Sequence, residues 1–257
     1  MIRSLSIVMP MYNEKDNIRT AVAECLRVGP RLADELEIVI VDDASTDGSG
    51  RIADELAEQH LEVKVVHHER NRKLGGALRT GFAAATSDWI LYIDSDLPIH
   101  MDDALAVLPL VTDADVVIGW RKSRAESWRR EVMSKAYNRL IRAVFGLRVK
   151  DVNFAFKLFR RELLDCIVLA SEGSFIDAEL LIEFRRAGAR IAEIGMDYYP
   201  RVAGVSTLAS NTVVLKILSE MLRYRAEVHG KNPDNFSGQR RRLWAEQSDR
   251  LRDRAGV

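Results

Sequence analysis

Cysteine is scarce in this 257-residue chain: only Cys25 and Cys166 occur, without CxxC or metal-ligand spacing. A disulfide framework is thereby excluded, a reducing compartment suits the chain, and both thiols read as small buried apolar groups. Net charge is absent too, since Lys plus Arg and Asp plus Glu number 38 each. Global electrostatics therefore name neither nucleic acid nor a strongly anionic surface as partner. A bilayer span needs roughly 18 consecutive apolar residues, and the most apolar late stretch, Leu208 to Leu222, is broken by Asn211, Lys216 and Glu220. The opening Met1-Ile2-Arg3-Ser4-Leu5 lacks the basic, apolar and small-residue layout of a secretory signal. The expectation is a cytoplasmic protein, at most peripheral on the inner face of the membrane.

Two nucleotide-binding signatures are also missing. No GxxxxGK[ST] loop occurs, and no GxGxxG follows the first strand pattern, which disfavours phosphate-loop ATPases and dinucleotide oxidoreductases. His60, His67, His68, His100 and His229 show no HExxH or comparable spacing and read as structural or surface groups.

What is present is a rhythm of short β-branched runs and longer helix-period segments, the sequence form of a parallel sheet with crossover helices. Strands are expected at Leu5 to Met9, Ile38 to Val41, Val63 to Val66, Trp89 to Ile93 and Val116 to Ile118. Helices are expected from about Asn13, near Gly48 to His60, at Gly75 to Ala85 and from Met101 to Leu110. Five such strands with right-handed crossovers predict an open, twisted, mostly parallel α/β sheet flanked by helices. After Gly119 the pattern changes to a charged helix from about Glu126 to Phe145, an aromatic segment Val152 to Phe159, and a helix from about Ile176 to Ala187. Neither a repeat nor a low-complexity linker divides the chain. Residues 1–228 read as one domain, with halves of about 1–120 and 121–228, and residues 229–257 as a charged tail or helix.

Acidic residues stand at three strand ends: Glu14 soon after the first, Asp42 and Asp43 after the second, Asp94 and Asp96 after the fourth. In an open α/β sheet ligands bind at the carboxyl ends of strands, so these side chains should converge on one crevice. The competing reading, helix N-caps, suits Asp47 before Gly48. Two carboxylates one residue apart at a strand tip form a hard-oxygen site for Mg²⁺ or Mn²⁺, leaving other coordination positions to phosphate oxygens.

The residues that carry a resemblance are Pro10-Met11-Tyr12-Asn13-Glu14, Val41-Asp42-Asp43 through Gly48, Asn71 with Gly75-Gly76, and Asp94-Ser95-Asp96. Gly119-Trp120-Arg121, Asp151 with Phe156 to Arg160, and Arg201 to Ser206 extend it, so that residues 5–208 are covered. In these the chain resembles the inverting GT-A glycosyltransferases of family 2, above all the branch of polyprenyl-phosphate sugar synthases of the dolichyl-phosphate mannose type. The resemblance implies a Rossmann-like GT-A fold and transfer of a hexose from a GDP- or UDP-sugar to a polyprenyl phosphate. It assigns Pro10, Tyr12, Glu14, Asp42, Asp43, Asn71, Gly76 and Ser95 to the nucleotide sugar. Asp94 and Asp96 take the metal and diphosphate, and Arg121 joins them in catalysis. Arg121, Arg130, Ser134 and Arg201 would hold the acceptor phosphate, for which the guanidinium fork is suited. Ordinary core remains the other reading of Tyr12, and a solvated basic helix face the other reading of Arg130.

The chain departs from that branch at Pro98, where Gln is common, at Thr207, where Lys is usual, and in Arg72-Lys73-Leu74 before the glycine pair. These departures leave room for a soluble acceptor such as a nucleoside or antibiotic precursor, with Asp151 or Asp177 as general base. A non-catalytic nucleotide-sugar-binding subunit is a third reading, opposed by Asp94-Ser95-Asp96. An amphipathic stretch from Asn211 to Arg225 would suit peripheral membrane contact or packing on its own domain. Homo-oligomerisation is left open.

Overall fold

The computed structural model describes residues 1–122, 128–199 and 219–226, with the side chains of 128–130 left aside. Arg201, the Arg130 side chain, most of the 211–225 stretch and the tail 229–257 lie outside these residues.

Among the described residues the strands are β1 (Ile2–Met11), β2 (Ala33–Asp42), β3 (Val63–His67), β4 (Trp89–Ile93), β5 (Val116–Arg121), β6 (Phe156–Arg160) and β7 (Ile191–Met196). The helices are α1 (Ile18–Leu32), α2 (Ser49–Gln59), α3 (Lys73–Ala84), α4 (Trp128–Phe145) and α5 (Ile176–Ala187). One seven-stranded sheet runs in the order β3-β2-β1-β4-β6-β5-β7, and only β6 is antiparallel to its neighbours. Successive strand residues face opposite sides, and the two apolar layers divide accordingly. Leu5, Ile7, Met9, Ile38, Ile40 and Leu91 pack under α1 on one face. Val8, Val39, Val41, Ile90 and Tyr92 pack against α3 and α5 on the other. Cys25 and Cys166 are buried and free, and burial pushes the Cys25 thiol up to about 12.

The mostly parallel α/β sheet is the expected one, and four details differ. β5 does not lie beside β4, because the aromatic segment supplies β6 between them; β6 is buried on both faces, so its run carries no period-2 signal. The segment from Met101 is a 3-10 helix ending at Val107. Pro109 has no N–H to continue an α-helical ladder, and Leu108 N and Leu110 N bond the carbonyls three residues back, at 3.2 and 2.8 Å. α1 begins at Ile18 because Asn13 stands in the left-handed region, at φ 58°. β7 was not anticipated at all.

Candidate functional site

The six parallel strands end on one edge of the sheet, and β6, running the other way, begins there. Asp42 closes β2, His67 closes β3, Asp94 follows β4, and Arg121 closes β5. Asp151 lies just before β6 on the same edge. Hydrogen bonds between loops fix this rim. Asn13 N donates to Ser45 Oγ at 3.0 Å, Thr46 N to Asn13 Oδ1 at 2.8 Å, and Glu14 N to Ser49 Oγ at 2.9 Å. Asp43 N donates to Met11 O at 2.8 Å, and Ser95 Oγ to Pro10 O at 3.1 Å. Asp47 Oδ1 accepts from Ser49 N at 2.9 Å just ahead of α2, but the N-cap position expected of Asp47 is held by Gly48, in the left-handed region at φ 95°. Asn13, Ala44, Lys73 and Leu97 are the left-handed non-glycine residues among those described. Asn13, Ala44 and Leu97 sit in the turns after β1, β2 and β4, and Lys73 opens α3 after β3; local strain of this sort gathers at functional edges.

The two carboxylates after β2 are buried, Asp42 at 5% and Asp43 at 3% exposure. Asp42 Oδ1 accepts from Ser45 N at 3.0 Å, and Oδ2 lies 3.0 Å from His67 Nδ1. Asp43 Oδ1 accepts from Arg72 N at 2.7 Å and meets His68 Nδ1 at 2.7 Å. Asn71 Nδ2 donates to Asp43 O at 3.3 Å. Tyr12 is 49% exposed, which removes the core reading and leaves its ring at the rim beside half-buried Pro10 and Glu14. Gly76 is buried in α3; a Cβ there would stand 2.4 Å from Arg72 Cβ. His67 and His68 are the residues that sequence reasoning passed over. The signal was available: both fall at a strand's carboxyl end, next to the strand that carries Asp42 and Asp43.

Asp94 and Asp96 are half-buried after β4. Tyr92 OH donates to Asp94 Oδ1 at 3.3 Å. Burial first, then the carboxylates of Asp177 and Asp94, push the Tyr92 phenol well above its ordinary value, so it stays a donor to that carboxylate. Below it, Lys157 is fully buried and donates to Asp177 Oδ1 at 2.6 Å and Phe154 O at 2.9 Å, with its Nζ 5.1 Å from the Tyr92 ring centre. The paired carboxylates fit a hard divalent cation whose remaining ligands come from phosphate. Among the described residues no group of three or more His, Cys, Asp or Glu makes a complete protein cage.

On the far side of the rim, Arg121 donates to Asp151 through Nε at 2.7 Å and Nη2 at 3.0 Å. Its guanidinium carbon stands 5.7 Å from the Phe154 ring centre and 5.4 Å from that of Tyr198. Of the residues expected around an acceptor phosphate, the structure thus describes Arg121, held by Asp151, and Ser134, half-buried on α4. Of the two candidate bases, Asp151 faces Arg121 and Asp177 faces Lys157.

Residues 219–226 are helical. Met221 and Tyr224 are buried, and Tyr224 lies against Phe145 and Phe175 with ring centres 5.7 and 5.6 Å apart. This part of the amphipathic stretch packs on the domain. Among the described residues no helix is long and apolar enough to cross a membrane.

Comparison with known proteins gives this geometry its context. The family model described as glycosyl transferase family 2 matches residues 6–168. Glycosyltransferase AglD of Haloferax volcanii is 31% identical over 207 residues, which cover 77% of this chain and 33% of AglD. The chain thus spans about a third of that relative. Polyprenol monophosphomannose synthase of Mycolicibacterium smegmatis is 30% identical over 225 residues, covering 80% of this chain and 82% of that protein. Glucosyl-3-phosphoglycerate synthase of Mycobacterium tuberculosis, crystallised with Mn²⁺, UDP-glucose and phosphoglyceric acid, superposes with a TM-score of 0.66 at 25% identity, over 84% of this chain and 79% of that one.

Proposed function

Because the chain belongs to glycosyl transferase family 2, we propose that it transfers a hexose from a UDP- or GDP-sugar to a polyprenyl phosphate, with Mg²⁺ or Mn²⁺ as cofactor. The observation that carries this reading is the gathering of Asp42, Asp43, Asp94, Asp96 and Arg121 on one sheet edge. Family membership and the M. smegmatis relative support the reaction class. The M. tuberculosis structure supports a divalent ion beside a sugar diphosphate.

In this reading Tyr12 and Pro10 offer an apolar slot to the base, while Glu14 and Asp42 accept hydrogen bonds from base or ribose. Asp43, Asn71, Gly76 and Ser95 shape the floor that holds the nucleotide. Asp94 and Asp96 hold the cation, which when bound offsets the charge on a departing diphosphate. Arg121, with Arg130, Ser134 and Arg201, orients the acceptor phosphate and screens its repulsion from the donor. An acceptor phosphate oxygen then bonds the anomeric carbon from the face opposite the leaving group, and the nucleoside diphosphate departs with the electron pair. A phosphate anion needs no strong base, so Asp151 and Asp177 serve here as partners of Arg121 and Lys157.

A soluble acceptor is the second reading, favoured by the structural neighbour that holds phosphoglyceric acid. The test is a UDP- and GDP-sugar panel with Mg²⁺ or Mn²⁺, run with polyprenyl phosphate, with 3-phosphoglycerate and without acceptor. Product that needs the lipid phosphate supports the first reading, and product with phosphoglycerate alone overturns it.

A further inference from the structure

His67 turns both ring nitrogens to carboxylates: Nδ1 lies 3.0 Å from Asp42 Oδ2, and Nε2 lies 2.8 Å from Asp54 Oδ1. Only an imidazolium donates through both nitrogens; a neutral ring would set a lone pair against one of the two oxygens. The neighbours differ in freedom. Asp42 on β2 is almost shut from solvent, with 7% of its side chain exposed, whereas Asp54 on α2 is 54% exposed. Among the described residues these carboxylates are the charged groups that face the ring, one from β2 and one from α2. Next door, His68, just past β3, ties Asp43 Oδ1 to Thr80 Oγ1 of α3, at 2.7 and 2.9 Å, so the end of β3 and the residue after it supply a second support to Asp42 and to Asp43.

We propose that His67 is a positioning residue for the donor nucleoside: as an imidazolium it fixes Asp42 and offsets its charge, so that nucleoside diphosphate binds most tightly while His67 is protonated. The proposal rests on Asp42 being a nucleoside contact. The titration of His67 is displaced upward, chiefly by the hydrogen bond to Asp54, against the effect of burial, and further by Asp42. Losing the proton has two consequences of one sign. The bond to Asp42 falls from charge-assisted to neutral, about half as strong. An anionic ligand also meets Asp42 and Asp43 with less compensation. Affinity for the donor should therefore drop roughly threefold to tenfold as pH rises through the His67 titration, while turnover at saturating donor holds.

Calorimetric titration of UDP and GDP with Mg²⁺ into the full chain, from about pH 5.5 to about 9, reads this directly. The wild type should weaken across the His67 titration. His67→Gln should bind at the wild type's weaker, high-pH level throughout, with its kcat preserved and only the donor KM raised. Asp54→Asn, an exposed change, should keep the pH dependence but move its midpoint to lower pH. A wild-type profile retained in His67→Gln, or an unmoved midpoint in Asp54→Asn, would overturn the proposal while leaving the donor site standing. Absence of nucleotide binding in the wild type at every pH would overturn both.

Discussion

Arg121 and Asp151 meet in a parallel fork of two hydrogen bonds, 2.7 and 3.0 Å long, with 11% and 2% of their side chains exposed. They join the end of β5 to the approach of β6. A buried pair that loses one member leaves an uncompensated charge, at a cost of roughly 3–5 kcal/mol. Asp151→Ala should lower stability on that order in urea unfolding; a loss below about 1 kcal/mol would mean that the fork does not hold this part of the rim.

Arg121→Lys keeps the charge and loses the planar fork. A side chain that no longer places the acceptor should cost transfer roughly tenfold to hundredfold while the donor binds as before. Initial rates and donor calorimetry on one preparation separate the two effects. Equal losses in both would count against an acceptor role.

Asp96→Ala removes one of two carboxylates offered to the cation, and the residue is only half-buried. The expected result is a fall in metal-dependent turnover of roughly a hundredfold or more, with the thermal unfolding midpoint close to wild type. Turnover that still rises with Mg²⁺ or Mn²⁺ as in the wild type would reject Asp96 as a ligand.

Strand positions, though not the starts of β1 and β2, were legible in the sequence because parallel strands buried on both faces read as β-branched runs closed by polar residues. Trp89–Ile93 and Ile176–Ala187 fall where the pattern put them. The insertion of β6 between β4 and β5 was not legible, since strand order is a long-range matter that local periodicity does not encode. Lys157 hid its role for the same reason: a cation inside Phe156-Lys157-Leu158-Phe159 makes sense only once Asp177, 20 residues on, is known to lie against it. His67 and His68 read as structural or surface groups because they match no ligand spacing, and nothing local tells which. Their function is to brace other side chains, and the pairing of Asp42 with His67 across β2 and β3 supplies it.

The Lys157–Asp177 pair permits a compensation experiment. Both side chains are almost wholly buried, at 1% and 6% exposure. Lys157→Met alone should destabilise by roughly 3–5 kcal/mol, and Lys157→Met with Asp177→Leu should recover most of that loss. If a phosphate is the nucleophile, the double variant should still transfer sugar to polyprenyl phosphate. Restored stability without transfer would instead give Asp177 a chemical role.

Gly75 lies in the first turn of α3 where the chain runs against residues 171–172: its N–H donates to Glu172 O at 2.8 Å, and a Cβ there would stand 2.0 Å from Ser171 O. Backbone cannot swing aside as a side-chain tip can. Gly75→Ala should cost roughly 1–3 kcal/mol, read as a lower urea midpoint with an unchanged slope. A neutral or stabilising effect would show that this approach relaxes freely.

Acid stability should depend on Asp115, which anchors the start of β5 to Arg190 just ahead of β7. Burial alone would raise its carboxyl, but hydrogen bonds from the Arg190 side chain and backbone outweigh it, and the net displacement is downward. A depressed carboxyl contributes stability that is complete above the unfolded value of about 3.9 and is lost as pH falls through the folded one. Asp115→Asn should therefore unfold at lower urea near neutral pH and lose part of the wild type's decline below about pH 4. His67 acts with the opposite sign: its raised titration supports the fold below about pH 6.5 and withdraws that support as pH rises through the folded value. Urea midpoints at acid, neutral and mildly alkaline pH for wild type, Asp115→Asn and His67→Gln separate the two limbs. An acid limb unchanged by Asp115→Asn would place the acid-labile contacts elsewhere.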